Sequence, residues 1–104
     1  MQTIQLKDPT LLRQQAYIAG AWADADGGET VAVTNPANGQ QIGTVPMCGA
    51  EETARAIAAA EIAQRAWAKV PAKERCAVLR RLNDLMLANV DDLALIMTTE
   101  QGKP

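Results

Sequence analysis

The hydrophobic pattern changes its period near Pro46, and this change constrains the fold more than any other feature of the sequence. Residues 1–46 contain short alternating segments separated by turn residues, which is typical of strands. In residues 47–104 the apolar side chains recur every three or four positions, which is typical of helices. The sequence therefore predicts an α/β chain of three short strands, followed by two long helices and a short third helix.

Turn residues predict where the chain reverses direction within residues 1–46. The segments AYIAGAW, TVAVTNPA and QQIGTVP predict the three strands. DADGGE predicts a hairpin turn between the first two, and NPANG predicts a second reversal in which Gly39 adopts a positive φ. Before the strands, DPTLLRQQ predicts one helical turn, capped by Asp8 or Thr10, that sets Leu11 and Leu12 against the body.

The second half predicts three helices. The first runs from Gly49 to about Lys69, the second begins after Pro71, and the third lies between a break at Asn89 and a stop at Gly102. Two ion pairs are expected on the first helix, namely Glu51–Arg55 and Glu61–Arg65. Arginines of the second helix, among them Arg75, Arg80 and Arg81, are expected on a solvated face.

Each predicted helix carries an apolar stripe, and the three strands are too few to cover all of them. The stripes are Ala56, Ile57, Ala60, Ala63, Trp67 and Val70; then Val78, Leu79, Leu82, Leu85 and Met86; then Leu93, Ile96 and Met97. Because each buried Leu, Ile or Val contributes roughly 1.5–3 kcal/mol, one open stripe would cost about the whole stability of a small domain. We therefore expect a covering partner outside these residues. Pro104, which suits the first position of a further helix, supports the same expectation of a longer protein.

Composition excludes several classes of function. A net charge of −2 and a pI near 5.0 give no attraction to nucleic acid or anionic lipid. No apolar run approaches the ~20 residues of a membrane span, and no secretory signal is present, so the cytosol is the expected compartment. Cys48 and Cys76 lack metal-site or redox spacing and are expected to be small buried hydrophobic residues.

No motif for catalysis or for cofactor binding is found. Glycine-rich phosphate loops, nucleophile elbows and zinc-binding helices are absent, and the chain contains no histidine. Two carboxylate pairs, Asp24 with Asp26 and Asp91 with Asp92, could be imagined as acid and base. A hairpin turn and a helix start explain them better, since nothing near them in the sequence would bury them and shift their pKa values.

The order of four segments nevertheless resembles a known family. YIAGAWADADGGETVAVTNPANGQQIGTVP, GAEETARAIAAAEIAQRAW, AKERCAVLRRLNDLM and DDLALIMTTEQGKP are similar to the amino-terminal region of the aldehyde dehydrogenase superfamily. Within it, LLRQQAYIAGAW, TNPANG and TTEQGKP are most similar to bacterial NAD(P)-dependent succinate-semialdehyde dehydrogenases. The resemblance covers the whole chain.

The resemblance implies that residues 1–104 are the amino-terminal segment of a cofactor-binding domain. The segment is expected to pack on the Rossmann-like part of the cofactor domain, which lies outside this chain. The same resemblance implies a homo-oligomeric enzyme that uses NAD or NADP to oxidise succinate semialdehyde to succinate, through a cysteine nucleophile and a glutamate-activated water. Those groups have no counterpart here, so no catalytic or cofactor-binding residue is assigned and the segment alone is expected to be inactive.

The resemblance also implies one minor site. Some members of the superfamily hold a monovalent cation with backbone carbonyls before the Asn-Pro turn and an acidic side chain before Gly-Lys-Pro, which here are Val33, Thr34 and Glu100. The alternative is that Glu100 is a surface carboxylate at a helix end. A second hypothesis for the whole chain is a stand-alone assembly module that self-associates through its open apolar stripes.

Overall fold

A computed structural model describes all residues, 1–104. The elements in chain order are a 3-10 turn at Pro9–Leu11, β1 at Ala16–Ile18, β2 at Ala21–Ala23, β3 at Thr30–Thr34, β4 at Gln41–Pro46, α1 at Ala50–Trp67, α2 at Ala72–Ala88 and α3 at Val90–Gln101. The α/β class and the order of strands before helices are therefore confirmed. The number of strands is four, and not the three that were predicted.

The extra strand comes from a turn inside AYIAGAW. Ala19 and Gly20 adopt φ values of 52° and 79° and form a two-residue loop, so β1 and β2 are the arms of a hairpin. Positive φ at both central residues is the geometry that matches the twist of antiparallel strands. The sequence did not reveal this turn because alanine rarely adopts a positive φ.

The pairing of the strands is only partly as predicted. DADGGE does not close a hairpin, because β2 and β3 lie in separate two-stranded sheets. The reversal at NPANG is confirmed, since β3 pairs antiparallel with β4 and Gly39 adopts a φ of 71°. Asn35 directs this turn, accepting a hydrogen bond from the Ala37 N–H at its side chain and from the Gly39 N–H at its backbone carbonyl.

The helices begin and end close to the predicted residues. Pro71 precedes α2, and Asn89 separates α2 from α3 while its side chain donates to the Leu85 carbonyl. Gly102 ends α3 in the left-handed conformation, with its N–H donated to the Thr98 carbonyl. At the other end of the chain, Asp8 caps the 3-10 turn, as one of the two expected residues.

The core is very small. Only two apolar side chains, Ala25 and Ile42, are buried, and the radius of gyration is 16.6 Å. A compact domain of this length has a radius of gyration of about 13 Å. α1 packs against β1 and α2 packs against α3, which leaves the apolar stripes of α1 and α2 largely uncovered. None of the three helices has the combined length and hydrophobicity that crossing a membrane requires.

The small core also overturns the expectation for the cysteines. Cys48 and Cys76 are both exposed, and neither is the buried hydrophobic residue that was predicted. Cys48 lies between β4 and α1, and Cys76 lies on α2, which packs mainly against α3. A small apolar side chain can be buried only where a second element packs against it.

Candidate functional site

The structure brings two of the three predicted cation ligands to one place. Val33 of β3 and Glu100 in the last turn of α3 line a cavity of about 30 Å³ between the hairpin and the helix. A single water needs about 10–15 Å³, so the cavity has room for a small ion or a water. Glu100 is exposed, and Arg13 lines the same cavity, with its guanidinium over the Trp22 ring at 4.7 Å from the ring centroid.

The two predicted backbone ligands lie at an irregularity of the sheet. Successive carbonyls of a strand point to opposite sides, so Val33 and Thr34 could not both face one ion from a regular strand. The β3–β4 register shifts between these two residues. The extra residue at this shift is Ile42 on β4, so the shift itself does not turn the carbonyls of Val33 and Thr34 toward one ion. No cluster of three or more His, Cys, Asp or Glu side chains that could hold a metal ion is present in the chain, and this cavity contains the single carboxylate of Glu100.

Asp92 is a structural carboxylate at the start of α3. Its Oδ1 and Oδ2 accept hydrogen bonds from the backbone N–H groups of Lys7 and Asp8, at 3.0 and 2.9 Å. Asp91 beside it pairs with the Lys7 ammonium at 3.0 Å on the exposed side. The helix-start explanation of this pair is confirmed, but the expectation that nothing buries it was wrong, because Asp92 is 5% exposed. The two backbone bonds lower the pKa of Asp92, which makes it unsuitable as a proton donor.

Asp26 forms a second structural cluster, with α1. Its carboxylate accepts two hydrogen bonds from Arg55, at 2.9 and 2.7 Å, so Arg55 pairs with Asp26 and the predicted Glu51–Arg55 pair is wrong. The predicted Glu61–Arg65 pair is confirmed, at 2.9 Å. The Arg55 hydrogen bonds lower the pKa of Asp26. Glu52 is buried beside them, and its own backbone N–H and that of Asp26 lower its pKa. These carboxylates remain ionised and hold the β2–β3 connection on α1.

Gln14 is a positioning residue that the sequence pattern did not reveal. Its side-chain oxygen accepts a hydrogen bond from the Thr44 N–H on β4, at 2.9 Å. A Cβ at Gly43 would lie 3.0 Å from the same oxygen, so the glycine makes room for this contact. A glutamine in a connecting segment gives no sequence signal, because its partner is thirty residues away.

Two large depressions of the surface are apolar and lie on α1. One depression of about 590 Å³ lies between the β1–β2 loop and the alanines of α1, and a second of about 640 Å³ continues along the helix to Trp67. Ala60 and Ala63 line both, and Trp67 is 42% exposed. On α2, Leu79 and Leu85 are more than half exposed. An apolar surface of this extent is typical of an interaction surface.

These features define an α/β segment whose polar side chains fix its own connections and whose helix faces carry exposed apolar residues. A family model described as the aldehyde dehydrogenase family matches residues 22–104. The chain belongs to the aldehyde dehydrogenase family and corresponds to its amino-terminal region.

Individual relatives agree with this assignment. Glutarate-semialdehyde dehydrogenase of Pseudomonas putida is 62% identical over 97% of this chain, and an NADP(+) succinate-semialdehyde dehydrogenase of Escherichia coli is 54% identical over the same share. The crystal structure of succinate-semialdehyde dehydrogenase from Burkholderia pseudomallei superposes with a TM-score of 0.92 over 95% of this chain, at 61% identity. The chain spans 21% of the length of both curated relatives and 20% of the crystallised chain.

Proposed function

We propose that residues 1–104 are the opening segment of the cofactor-binding domain of an enzyme that oxidises an aldehyde to a carboxylic acid with NAD or NADP. The observation that carries the activity is the match to the aldehyde dehydrogenase family over residues 22–104. That these residues are one segment of a larger fold is supported by their accessible surface of 7896 Å². A folded monomer of this mass exposes about 5,700 Å². The excess of roughly 2,200 Å² has the size of one side of an obligate interface, which the remainder of such an enzyme would cover.

The proposed substrate is succinate semialdehyde, which the enzyme would oxidise to succinate. The names of the relatives from E. coli and B. pseudomallei support it, whereas the relative from P. putida is named for glutarate semialdehyde. Both compounds carry an aldehyde at one end and a carboxylate at the other. The chemical class is thus a short aldehyde acid, in an enzyme that we expect to be a cytosolic homo-oligomer.

The catalytic and the structural roles belong to different parts of the proposed enzyme. We propose that the cysteine nucleophile and the glutamate lie in the remainder of the enzyme, and that NAD or NADP accepts the hydride there. The contribution of this segment is packing: the alanines of α1 permit close approach of another element, and Trp67 supplies a large apolar contact.

The cation site at Val33, Thr34 and Glu100 remains part of the proposal. The hard oxygen ligands and the cavity volume support a monovalent ion. Crystals soaked in thallium or rubidium should show an anomalous peak beside Glu100, and Glu100→Gln should remove it. A soaked crystal of the unaltered protein without a peak there would disprove the site.

The second candidate is a self-associating module without catalysis. The observation that favours it is the same open surface, because a second copy could cover it as well as another domain could. The two candidates predict different results when residues 1–104 replace the matching region of an aldehyde dehydrogenase. Under the first candidate the resulting enzyme should be active, and under the second it should not.

A chimeric enzyme tests the first candidate. In it, residues 1–104 replace the matching region of the P. putida glutarate-semialdehyde dehydrogenase, and we expect the chimera to oxidise the semialdehyde of its host. Ala63→Glu, in the alanine face, should abolish the soluble active chimera, whereas Ala58→Glu, outside both depressions, should not. The 104-residue chain alone should show no turnover. An inactive chimera beside an active host enzyme, or turnover by the chain alone, would contradict the proposal.

A further inference from the structure

The turn between β3 and β4 contains an asparagine followed directly by a glycine, Asn38 and Gly39. A backbone nitrogen can attack the amide carbon of the asparagine side chain before it, because the ring that forms is five-membered and nearly free of strain. A glycine in second place favours this attack, since it has no Cβ to shield its nitrogen and its backbone rotates most freely. The pair is therefore chemically suited to a covalent modification.

The reaction needs only water. The Gly39 nitrogen loses its proton and bonds to Cγ of Asn38, the bond from Cγ to Nδ2 breaks, and the side-chain nitrogen leaves as ammonia. Water then opens the resulting succinimide at either of its two carbonyls, which gives aspartate or isoaspartate. The net change replaces an amide by a carboxyl group and adds one negative charge to the turn.

The folded turn withholds the attacking nitrogen. The Gly39 N–H donates to the Asn35 carbonyl at 2.8 Å, in a turn where Gly39 adopts a φ of 71°. A nitrogen that donates in this bond retains its proton and is directed at the carbonyl, away from the asparagine side chain. The turn therefore has to open locally before the nitrogen can attack.

The side-chain amide of Asn38 is held at both ends. Its Oδ1 accepts from the Gln40 N–H at 2.9 Å, and its Nδ2 donates to Oε1 of Gln2 at 3.3 Å. Gln2 is itself fixed, since its N–H donates to the Gln41 carbonyl at 2.8 Å and its Oε1 also accepts from the Asn35 side chain at 3.1 Å. The amino-terminal arm, residues 1–12, thus holds the group that would be attacked. These contacts join residues of this chain and do not depend on what covers its outer faces.

We propose that Asn38 is a deamidation site at which the amino-terminal arm slows the reaction through Gln2. The bonds at the Asn38 amide and at the Gly39 nitrogen must break before the two atoms can meet. Because one hydrogen bond of this kind changes an equilibrium about two- to tenfold, loss of the Gln2 acceptor alone should accelerate the reaction by that factor. The loss of ammonia makes the change irreversible, so each release of the arm exposes the turn to permanent modification.

Peptide mapping by mass spectrometry tests the proposal on the 104-residue chain at mildly alkaline pH. The products at Asn38 are recognised by the mass gain of an amide-to-carboxyl exchange, and aspartate and isoaspartate peptides elute separately. Gln2→Ala should deamidate about two- to tenfold faster than the unaltered chain. Gln2→Glu keeps an acceptor oxygen and should not accelerate the reaction. Gln5→Ala is the matched control, because Gln5 lies in the same arm with an exposed side chain.

The unfolded chain and a second asparagine provide internal references. In guanidinium chloride the unaltered chain should deamidate at Asn38 at least about tenfold faster than in buffer. Asn35 should not react in either state, because the nitrogen of Pro36 carries no proton. Equal rates at Asn38 in the two solvents would overturn the proposal.

Hydrogen exchange of the Gly39 amide reports whether the turn is formed, and protection is expected in the unaltered chain and in all three variants. Equal deamidation rates in Gln2→Ala and Gln5→Ala would show that the arm does not restrain the reaction. Loss of Gly39 protection in Gln2→Ala would also overturn the proposal, since the turn itself, and not the contact with Asn38, would then set the rate.

Discussion

At the scale of single residues, the polar side chains of this chain act as anchors between distant segments. Asp92 binds the backbone of Lys7 and Asp8 across 84 to 85 positions of sequence, and Arg55 binds Asp26 across 29. The helix-start role of Asp92 could be predicted from its place before an apolar run. Its role in holding the amino-terminal arm, residues 1–12, could not be predicted. The identity of its hydrogen-bond partners depends on where this arm lies in the fold.

Replacing Asp92 should release this arm. The amide of an asparagine side chain offers one oxygen to the two N–H groups that bind the carboxylate, so Asp92→Asn leaves one donor facing another donor. We expect trypsin to cleave after Lys7 about tenfold faster in this variant. Asp91→Asn is the matched control, and it should change the rate little because its pair with Lys7 is exposed. Equal rates in the two variants would show that Asp92 does not hold the arm.

The arm should also be released by acid. Backbone hydrogen bonds from Lys7 and then Asp8 lower the folded-state pKa of Asp92. The carboxylate therefore stabilises the docked arm above its unfolded-state pKa of about 3.9 and loses this effect as the pH falls through the lower folded-state value. NMR signals of the Lys7 and Asp8 amides should stay constant down to about pH 4 and shift below it. A transition near neutral pH, or the same transition in Asp92→Asn, would argue against this assignment.

At the scale of elements, helix ends were the most predictable features and strand pairing the least. Gly102 was expected to stop α3, and it does so in the left-handed conformation that glycine favours. The β1–β2 hairpin was missed because its turn places Ala19 at a positive φ, which no local rule anticipates. The apolar stripe of α1 was predicted as a close-packing surface, and the depressions that the helix presents follow that stripe.

Gly102→Ala should destabilise the end of α3. Alanine at a φ of 72° costs about 1–2 kcal/mol. The added Cβ would also lie 3.3 Å from the Pro36 ring, so the contact between α3 and the Asn-Pro turn would have to adjust. Urea unfolding at low protein concentration should show the loss. Gly27→Ala is the control, since Gly27 has no positive φ and no atom near its Cβ position. No difference between the two variants would show that the glycine stop contributes little.

At the scale of the whole molecule, the open apolar surface dominates. No large side chain is fully buried, and most of the apolar stripe of α2 faces solvent. Water contact along such a surface is unfavourable by about 25 cal/mol for each Å². We therefore expect the isolated chain to associate with itself when nothing else covers these faces.

Sedimentation velocity should give the isolated chain an average mass above its monomer mass of 11.1 kDa. Leu82→Glu places a charge in the α2 stripe, where Leu82 is 52% exposed, and should lower the average mass. Ala77→Glu adds the same charge on the other side of α2 and should leave the mass unchanged. A monodisperse monomer of the unaltered chain would refute the expectation.

The sequence alone determined the period change at Pro46, the three helices with their ends, the turn at Gly39 and the excess of apolar stripes. Each of these depends on residues close together in the chain, whose spacing fixes local geometry and the face that a side chain shares. Only the tertiary structure decided the division into two sheets, the exposure of the cysteines, the Asp92 anchor and the cavity shared by Val33 and Glu100. The reason is physical: burial, pKa and pairing depend on groups that the fold brings together from distant parts of the sequence, and local spacing carries no information about them.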